Sequence, residues 1–294
     1  MICMPHARLL IIEGDTAESR ALEMSVGGVA TSDGYADILR NLHPRTAIDI
    51  VYPADAAASL PAGRAMEAYD GIVITGSALH IYDGGPEIMR QIELVREALR
   101  HDTAIFGSCW GLQVLTVAAG GVVRRNPRGR ELAVGRAIRL TSAGVHHPMY
   151  RGKPDIFDAP TVHRDEVSVL APGSTLLAGN GFSRIQAIEL KAGRAIGWAT
   201  QYHPEYPLRE LAAIIRRSPT LVEEGFFADD SERETYARDL DALDGDPAHR
   251  AIAWRLGIDD SILDWKIRTR ELANWIDELV LPRMAARLSA AVRG

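Results

Sequence analysis

The 294-residue chain has two cysteines, Cys3 and Cys109. Two are too few for a disulfide framework, which points to a reducing compartment. Long apolar runs are missing as well. The N-terminus offers a four-residue apolar core, LLII, too short for a signal peptide. No stretch approaches the roughly 18–20 apolar residues of a membrane span, so a cytoplasmic protein without a membrane partner is expected. Basic clusters are absent and the formal net charge is −6, so nucleic acid is not an expected partner. The segment YDGGPE (82–87) lacks the Lys-Ser/Thr of a P-loop, and there is no Ser-Gly-Gly-x-Asp-Ser pyrophosphatase motif. His146–His147 has no carboxylate or cysteine following at ligand spacing, so a loop pair is expected and no metal. No internal repeat or low-complexity tract is visible.

What is present is organised. The length suits one large or two modest domains with a real core. Short Ile/Val-rich runs at RLLIIEG (8–14), AIDIVYP (47–53), GIVITGS (71–77) and TAIFGS (103–108) each end in Gly, Pro or Ser. Between the last two, Ile88, Ile92, Val95 and Leu99 recur at helical spacing behind Pro86. Fully apolar strands alternating with helices predict an α/β fold with a mostly parallel sheet covered on both faces. From Gly121 to Gln201 the texture becomes short strands: GGVVRR, RAIRLT, EVSVL, IQAIEL and AIGWATQY. They predict an antiparallel extension followed by a return strand into the main sheet. PLRELAAIIRRS (207–218) reads as a helix.

A boundary falls after Ser218. Residues 223–246 carry ten acidic residues and two arginines, a net −8, and no strand pattern follows. Residues 219–294 read as an α-helical appendage, a lid or an interface, beside a 1–218 domain. The charge run is expected to be a solvated face. A long amphipathic KIRTRELANWIDELVLPRMAARL closes the chain, and Trp254, Trp265 and Trp275 read as helix packing.

The chemistry concentrates at IFGSCWGLQVL (105–115). The strand ends near Phe106, and Leu112, Leu115 and Ala119 then follow helical spacing until Gly120–Gly121. Cys109 therefore sits on the turn, at a helix N-terminus, where the amide dipoles favour a thiolate. Gly107-x-Cys109-x-Gly111 has the form of a nucleophile elbow written with cysteine, with the Trp110 N–H as one oxyanion donor. Taken alone, a glycine-flanked turn also suits a buried structural cysteine. A base is available at His203 in GWATQYHPEY, at the end of an apolar strand. Pro204 keeps His203 extended, so Glu205 shares its face and can hold the imidazole. A turn with an exposed acid explains His-Pro-Glu equally well when it stands alone. Cys3, before the first strand, has no glycines or base beside it and reads as ordinary.

Together these motifs resemble the class I glutamine amidotransferases over roughly residues 8–217. Gly-x-Cys-x-Gly-x-Gln stands as Gly107, Cys109, Gly111 and Gln113, which implies Gln113 on the substrate side, and the His-x-Glu element as His203 and Glu205. VHRDEV (162–167) looks like the family's His-Gly-Asp segment, which implies that His163, Arg164 and Asp165 border the amino-acid end of the substrate. VITGSAL (73–79) stands where the family has its oxyanion loop, which implies the Ser77 N–H, supported by Gly76, beside that of Trp110. Arg164 replaces the usual glycine, and Ser77–Ala78 replace Gly-Pro. The likeness is nearest to the GMP synthase-type glutaminase domain and its stand-alone relatives.

The resemblance implies a flavodoxin-like sheet and a Cys-His-Glu triad of Cys109, His203 and Glu205. It implies hydrolysis of the glutamine γ-carboxamide through a γ-glutamyl thioester, releasing glutamate and ammonia, with no cofactor. No ATP-using domain accompanies it, so a separate ammonia-accepting synthetase is one partner to expect. Two alternatives stand beside glutaminase: a stand-alone γ-glutamyl hydrolase or peptidase, and a catalytically silent binding module. A homodimer through the last helix is a further option.

Overall fold

The structure, a computed structural model, describes residues 6–291, so the ordinary role read for Cys3 lies outside the described residues. The four apolar runs form β1 (Arg8–Ile12), β2 (Ala47–Val51), β3 (Gly71–Ile74) and β4 (Ala104–Ser108). Seven more strands follow: β5 (Val122–Arg125), β6 (Glu131–Leu140), β7 (Ile156–His163), β8 (Asp165–Val169), β9 (Ser174–Gly179), β10 (Ala187–Ala192) and β11 (Ala195–Thr200). Among the described residues, nine strands make one sheet in the order β2-β1-β3-β4-β11-β10-β9-β6-β7, and β5 pairs with β8 separately. The first five run parallel. From β11 onward the pairings are antiparallel.

This is the expected flavodoxin-like arrangement, with β11 as the return strand. GGVVRR and EVSVL, both expected in the extension, instead pair with each other as β5 and β8 of the small sheet. β7 and β9 are strands the sequence pattern does not announce. β7 carries Pro160, which an interior strand would exclude but an edge strand accepts, and β7 is the sheet's last strand.

Helices α1 (Ala17–Ser25), α2 (Thr31–Leu42), α3 (Pro86–Ala98), α4 (Trp110–Ala118), α5 (Ser142–Val145) and α6 (Leu208–Arg216) lie within the first 218 residues. Beyond them come α7 (Thr220–Glu223), α8 (Asp230–Gly245), α9 (Arg250–Leu256), α10 (Asp260–Leu263), α11 (Trp265–Arg268), α12 (Arg270–Trp275) and α13 (Leu281–Ala291). Alternation along β1 sends Leu10 and Ile12 to one face and Leu9 and Ile11 to the other. On the first face they join Ile88, Ile92 and Val95 of α3 and Leu112 and Leu115 of α4. On the second face they join Tyr35 and Leu39 of α2, together with Leu272, Trp275, Ile276, Leu279 and Met284. The C-terminal segment thus covers part of the sheet. A Cβ on Gly71 would come within 2.9 Å of the Trp275 ring, and Phe106 meets that ring edge-on at 6.0 Å.

Several expectations about this segment need correction. The closing amphipathic stretch is not one regular helix: α12 passes through a π-helical turn at Ile276–Val280 before α13. Pro282 has no N–H to return to the Glu278 carbonyl, so the regular ladder is interrupted there. Of the three tryptophans only Trp275 is core; Trp254 is 87% exposed and Trp265 42%, each on a short outer helix. The acidic run is more than a solvated face. Asp244 meets Arg209 at 3.0 Å, while Glu234 and Asp241 meet Arg216 at 3.0 and 2.7 Å. Behind these pairs Ala237, Leu240 and Leu243 of α8 pack with Leu211 and Ile215 of α6.

Candidate active site

Loops leaving the C-terminal ends of four parallel strands converge on a cavity of about 200 Å³. Asp15 follows β1, Ser77 follows β3, Cys109 follows β4 and His203 follows β11, and all four line it. Open α/β sheets place their ligands at this end.

The turn explains its own composition. Cys109 has φ 51° and ψ −101°, a conformation that side-chain-bearing residues rarely hold. A Cβ on Gly107 would lie 2.6 Å from the Gly111 backbone carbon, and one on Gly111 2.4 Å from the Ile74 oxygen. Both obstacles are backbone, so neither can step aside. The Cys109 N–H donates to the Thr200 oxygen at 2.7 Å, tying the elbow to β11. Its Sγ lies 3.7 Å from the Val162 oxygen and receives the Gln201 Nε2–H at 3.5 Å.

His203 is held from three sides. Its N–H donates to the Pro160 oxygen at 2.8 Å, and its ring stacks on Tyr206 at 3.9 Å with 4° between planes. Its Nδ1 lies 2.7 Å from Glu205 Oε1. Glu205 Oε2 accepts the Ser108 hydroxyl at 2.9 Å, and Ser108 in turn shares a short hydrogen bond with Tyr35. Burial by itself would drive the imidazole towards neutrality. The charges of Glu205 and Cys109 beside it prevail and push its pKa up to about 10. Gly76 matters here for a steric reason: a Cβ there would sit 2.7 Å from His203 Cε1.

Asp15 organises the loop after β3. Its Oδ1 accepts the Ser77 hydroxyl at 2.9 Å and the Ala78 N–H at 3.0 Å. The Ser77 and Trp110 N–H groups have no acceptor among the described residues. The Trp110 indole donates to Gln91 Oε1 at 2.7 Å, which fixes the start of α4.

The expected substrate-side residues divide. Gln113 and Arg164 line the cavity, and so does Arg130, which sequence reasoning missed. Arg164 and Arg130 share one carboxylate, Glu224, the latter at 3.0 Å. His163 and Asp165 also border the cavity, but their polar atoms are engaged elsewhere. His163 Nε2 meets Glu131 Oε2 at 2.8 Å and its Nδ1 the Asp165 backbone oxygen at 2.9 Å. The Asp165 carboxylate holds His80 Nδ1 at 2.7 Å and the Tyr82 hydroxyl at 2.9 Å. Of the loop pair, His147 meets Glu189 at 3.2 Å and the edge of Trp198.

Sequence reasoning also missed Asp15, Tyr35, Ser108, Gln201, Tyr206 and Glu224. Gln201 carried a usable signal, because a residue two before His203 on an extended chain shares its face. Tyr35 and Glu224 reach the site only through tertiary packing.

A protein with this sheet and this loop constellation falls in a defined class. The family model described as glutamine amidotransferase class-I matches residues 35–218, and the chain belongs to that family. Among its relatives, a γ-glutamyl-L-1-hydroxyisopropylamide hydrolase of a Pseudomonas species is 35% identical over 287 residues, 95% of both chains. A glutamine-hydrolysing GMP synthase chain of Methanoregula boonei is 34% identical over 125 residues, 42% of this chain and 64% of its own. A glutamine amidotransferase of Thermotoga maritima shares the fold at 20% identity, with TM-score 0.63 over 94% of this chain and 99% of its own.

Proposed function

We propose that this chain is a thiol-dependent γ-glutamyl amide hydrolase, releasing glutamate and a small amine. The observation that carries it is the buried set of Cys109 and His203 at the wall of the cavity with Glu205 bonded behind His203, beside loops whose Ser77 and Trp110 N–H groups have no acceptor among the described residues. Cys109 Sγ attacks the γ-carbonyl carbon, and the oxyanion takes hydrogen bonds from the Ser77 and Trp110 N–H groups. His203 enters as the imidazolium that Glu205 and the Cys109 sulfur beside it favour. Its Nε2 gives a proton to the departing amine, and the C–N bond breaks to leave a γ-glutamyl thioester. Water then loses a proton to His203 and attacks the thioester, which returns the sulfur and frees glutamate. Glu205 holds Nδ1 throughout, and Ser108 and Tyr35 hold Glu205. No cofactor enters these steps.

On the motifs alone, glutamine itself comes first as substrate. The relative aligned over 95% of both chains acts by name on a γ-glutamyl amide, which supports an amine larger than ammonia. Residues 219–294 contribute to the same chemistry by bringing Glu224 to the Arg130–Arg164 rim. The GMP synthase likeness supports a second reading, glutaminase feeding a separate synthetase, but over 42% of the chain. Steady-state turnover by the full chain separates the two. A kcat/KM at least about tenfold higher on a γ-glutamyl amino-alcohol amide than on glutamine is expected. The reverse order favours the second reading, and no turnover of either substrate refutes both.

A further inference from the structure

Beneath the catalytic loop lies a polar cluster that the chemistry above does not use. Glu271 of α12 is fully buried, and its Oε1 and Oε2 lie 2.7 and 2.8 Å from Nζ of the equally buried Lys153. Glu271 Oε1 also accepts the Tyr202 hydroxyl at 2.6 Å, and Tyr202 meets the Tyr150 hydroxyl at 2.9 Å. Lys153 Nζ stands 4.4 Å over the Phe157 ring. Burial and the Glu271 charge hold the Tyr202 phenol well above its ordinary pKa, so it remains a donor.

Stability is a poor reason to keep such a pair. Desolvating two charges is costly, and apolar groups of similar size often serve a core as well or better. The position of Tyr202 supplies a better reason. Gln201, Tyr202 and His203 are consecutive, and their side chains alternate. Gln201 donates to Cys109 Sγ, and His203 faces both Cys109 and Glu205. Tyr202 between them points the opposite way, into the cluster. The backbone around it is pinned on one side by the Thr200 hydroxyl, which donates to the Tyr202 oxygen at 2.8 Å. Its side chain is pinned by a carboxylate from the C-terminal segment.

We propose that Glu271 is a positioning residue: through Tyr202 it sets where Gln201 and His203 stand relative to the Cys109 sulfur. The C-terminal segment is thereby part of the catalytic apparatus although it touches no reacting atom. The inference rests on reading Cys109, His203 and Glu205 as the catalytic set.

The test uses full-length variants assayed on one γ-glutamyl amide, with iodoacetamide alkylation of Cys109 at pH 7 as a second readout. Tyr202→Phe and Lys153→Met/Glu271→Leu should each lower kcat about tenfold with KM within twofold, because small displacements of reacting groups cost rate rather than binding. Alkylation should slow in parallel. Lys153→Met/Glu271→Gln, whose amide oxygen can still accept the Tyr202 hydroxyl, should recover kcat to within about threefold. A merely structural role would move the melting temperature and leave kcat per folded enzyme alone. Folded Tyr202→Phe and Leu variants that keep kcat and alkylation rate within twofold overturn the inference. So does a Gln variant as impaired as the Leu variant. Cys109→Ala separates the two levels: retained turnover there refutes the catalytic reading itself.

Discussion

Glu205→Gln should damage the enzyme in a pH-dependent way that its geometry specifies. Glu205 Oε1 lies 2.7 Å from His203 Nδ1, and the amide can preserve that contact because the Ser108 hydroxyl can turn to accept its NH₂. What is lost is charge. Two unit charges with centres about 4 Å apart are worth about 4 kcal/mol at an effective dielectric of about 20. That corresponds to about 3 pKa units on His203. The native value of about 10 lies above the ordinary 6.5, so the imidazolium is fully favoured below 6.5 and lost as pH rises through 10. In the variant that loss moves to about pH 7, three units below. At pH 9 the charged fraction falls about 10²-fold, whereas at pH 6.5 the same factor is under about twofold. His203→Asn removes the proton carrier at every pH and should approach the upper end of the roughly 10²–10⁴-fold range of acid–base catalysis. The assay is kcat/KM on a γ-glutamyl amide from pH 6 to 10.5 for the three proteins. A Glu205→Gln enzyme with an unmoved alkaline limb refutes the electrostatic role. A folded Glu205→Gln worse than His203→Asn at pH 6.5 refutes His203 as the base.

Gly111→Ala should lose roughly 1–3 kcal/mol of stability, because its Cβ would press on the Ile74 backbone oxygen at 2.4 Å; differential scanning calorimetry with parallel kinetics checks this, and an unchanged melting temperature contradicts it. Trp275→Ala should cost about 3–5 kcal/mol by emptying the space over Gly71 and Phe106, and urea unfolding measures it. Burial, opposed by Arg217 and aided by Glu210, raises Glu23 to about 8. The folded chain therefore keeps a proton between the ordinary 4.5 and 8 that the unfolded chain releases, and stability falls as pH climbs through that window. Glu23→Gln should flatten this decline, and identical slopes of melting temperature against pH would contradict it.

The parts of the site that rest on local geometry were legible in the sequence. A tight turn needs Gly107 and Gly111 because backbone stands where their side chains would go, and that requirement is written in adjacent residues. His203 and Glu205 share a face for the same local reason. The strands β1, β3 and β4 announced themselves because both faces are buried, so their apolar runs are unbroken. β7 did not, because an edge strand tolerates Pro160 and needs no such run.

The remaining partners were hidden because they are distant in sequence. Ser108 meets Tyr35 across 73 positions, and Glu271 meets Tyr202 across 69. The closing amphipathic stretch, with Leu272, Trp275, Ile276, Leu279 and Leu281 along one side, implies only that a face must be buried. Nothing in the stretch itself identified the sheet face of β1, β3 and β4 as its cover. The ion pairs of Glu234, Asp241 and Asp244 likewise look like a solvated run until α6 supplies Arg216 and Arg209.

The most direct measurement is peptide mapping after inactivation by a glutamine-like diazo-ketone, with residual turnover on a γ-glutamyl amide followed in the same samples. Label should accumulate on Cys109 in proportion to lost activity, spare Cys3, and be slowed by added substrate. Label chiefly on Cys3, or inactivation with Cys109 unmodified, would contradict Cys109 as the nucleophile.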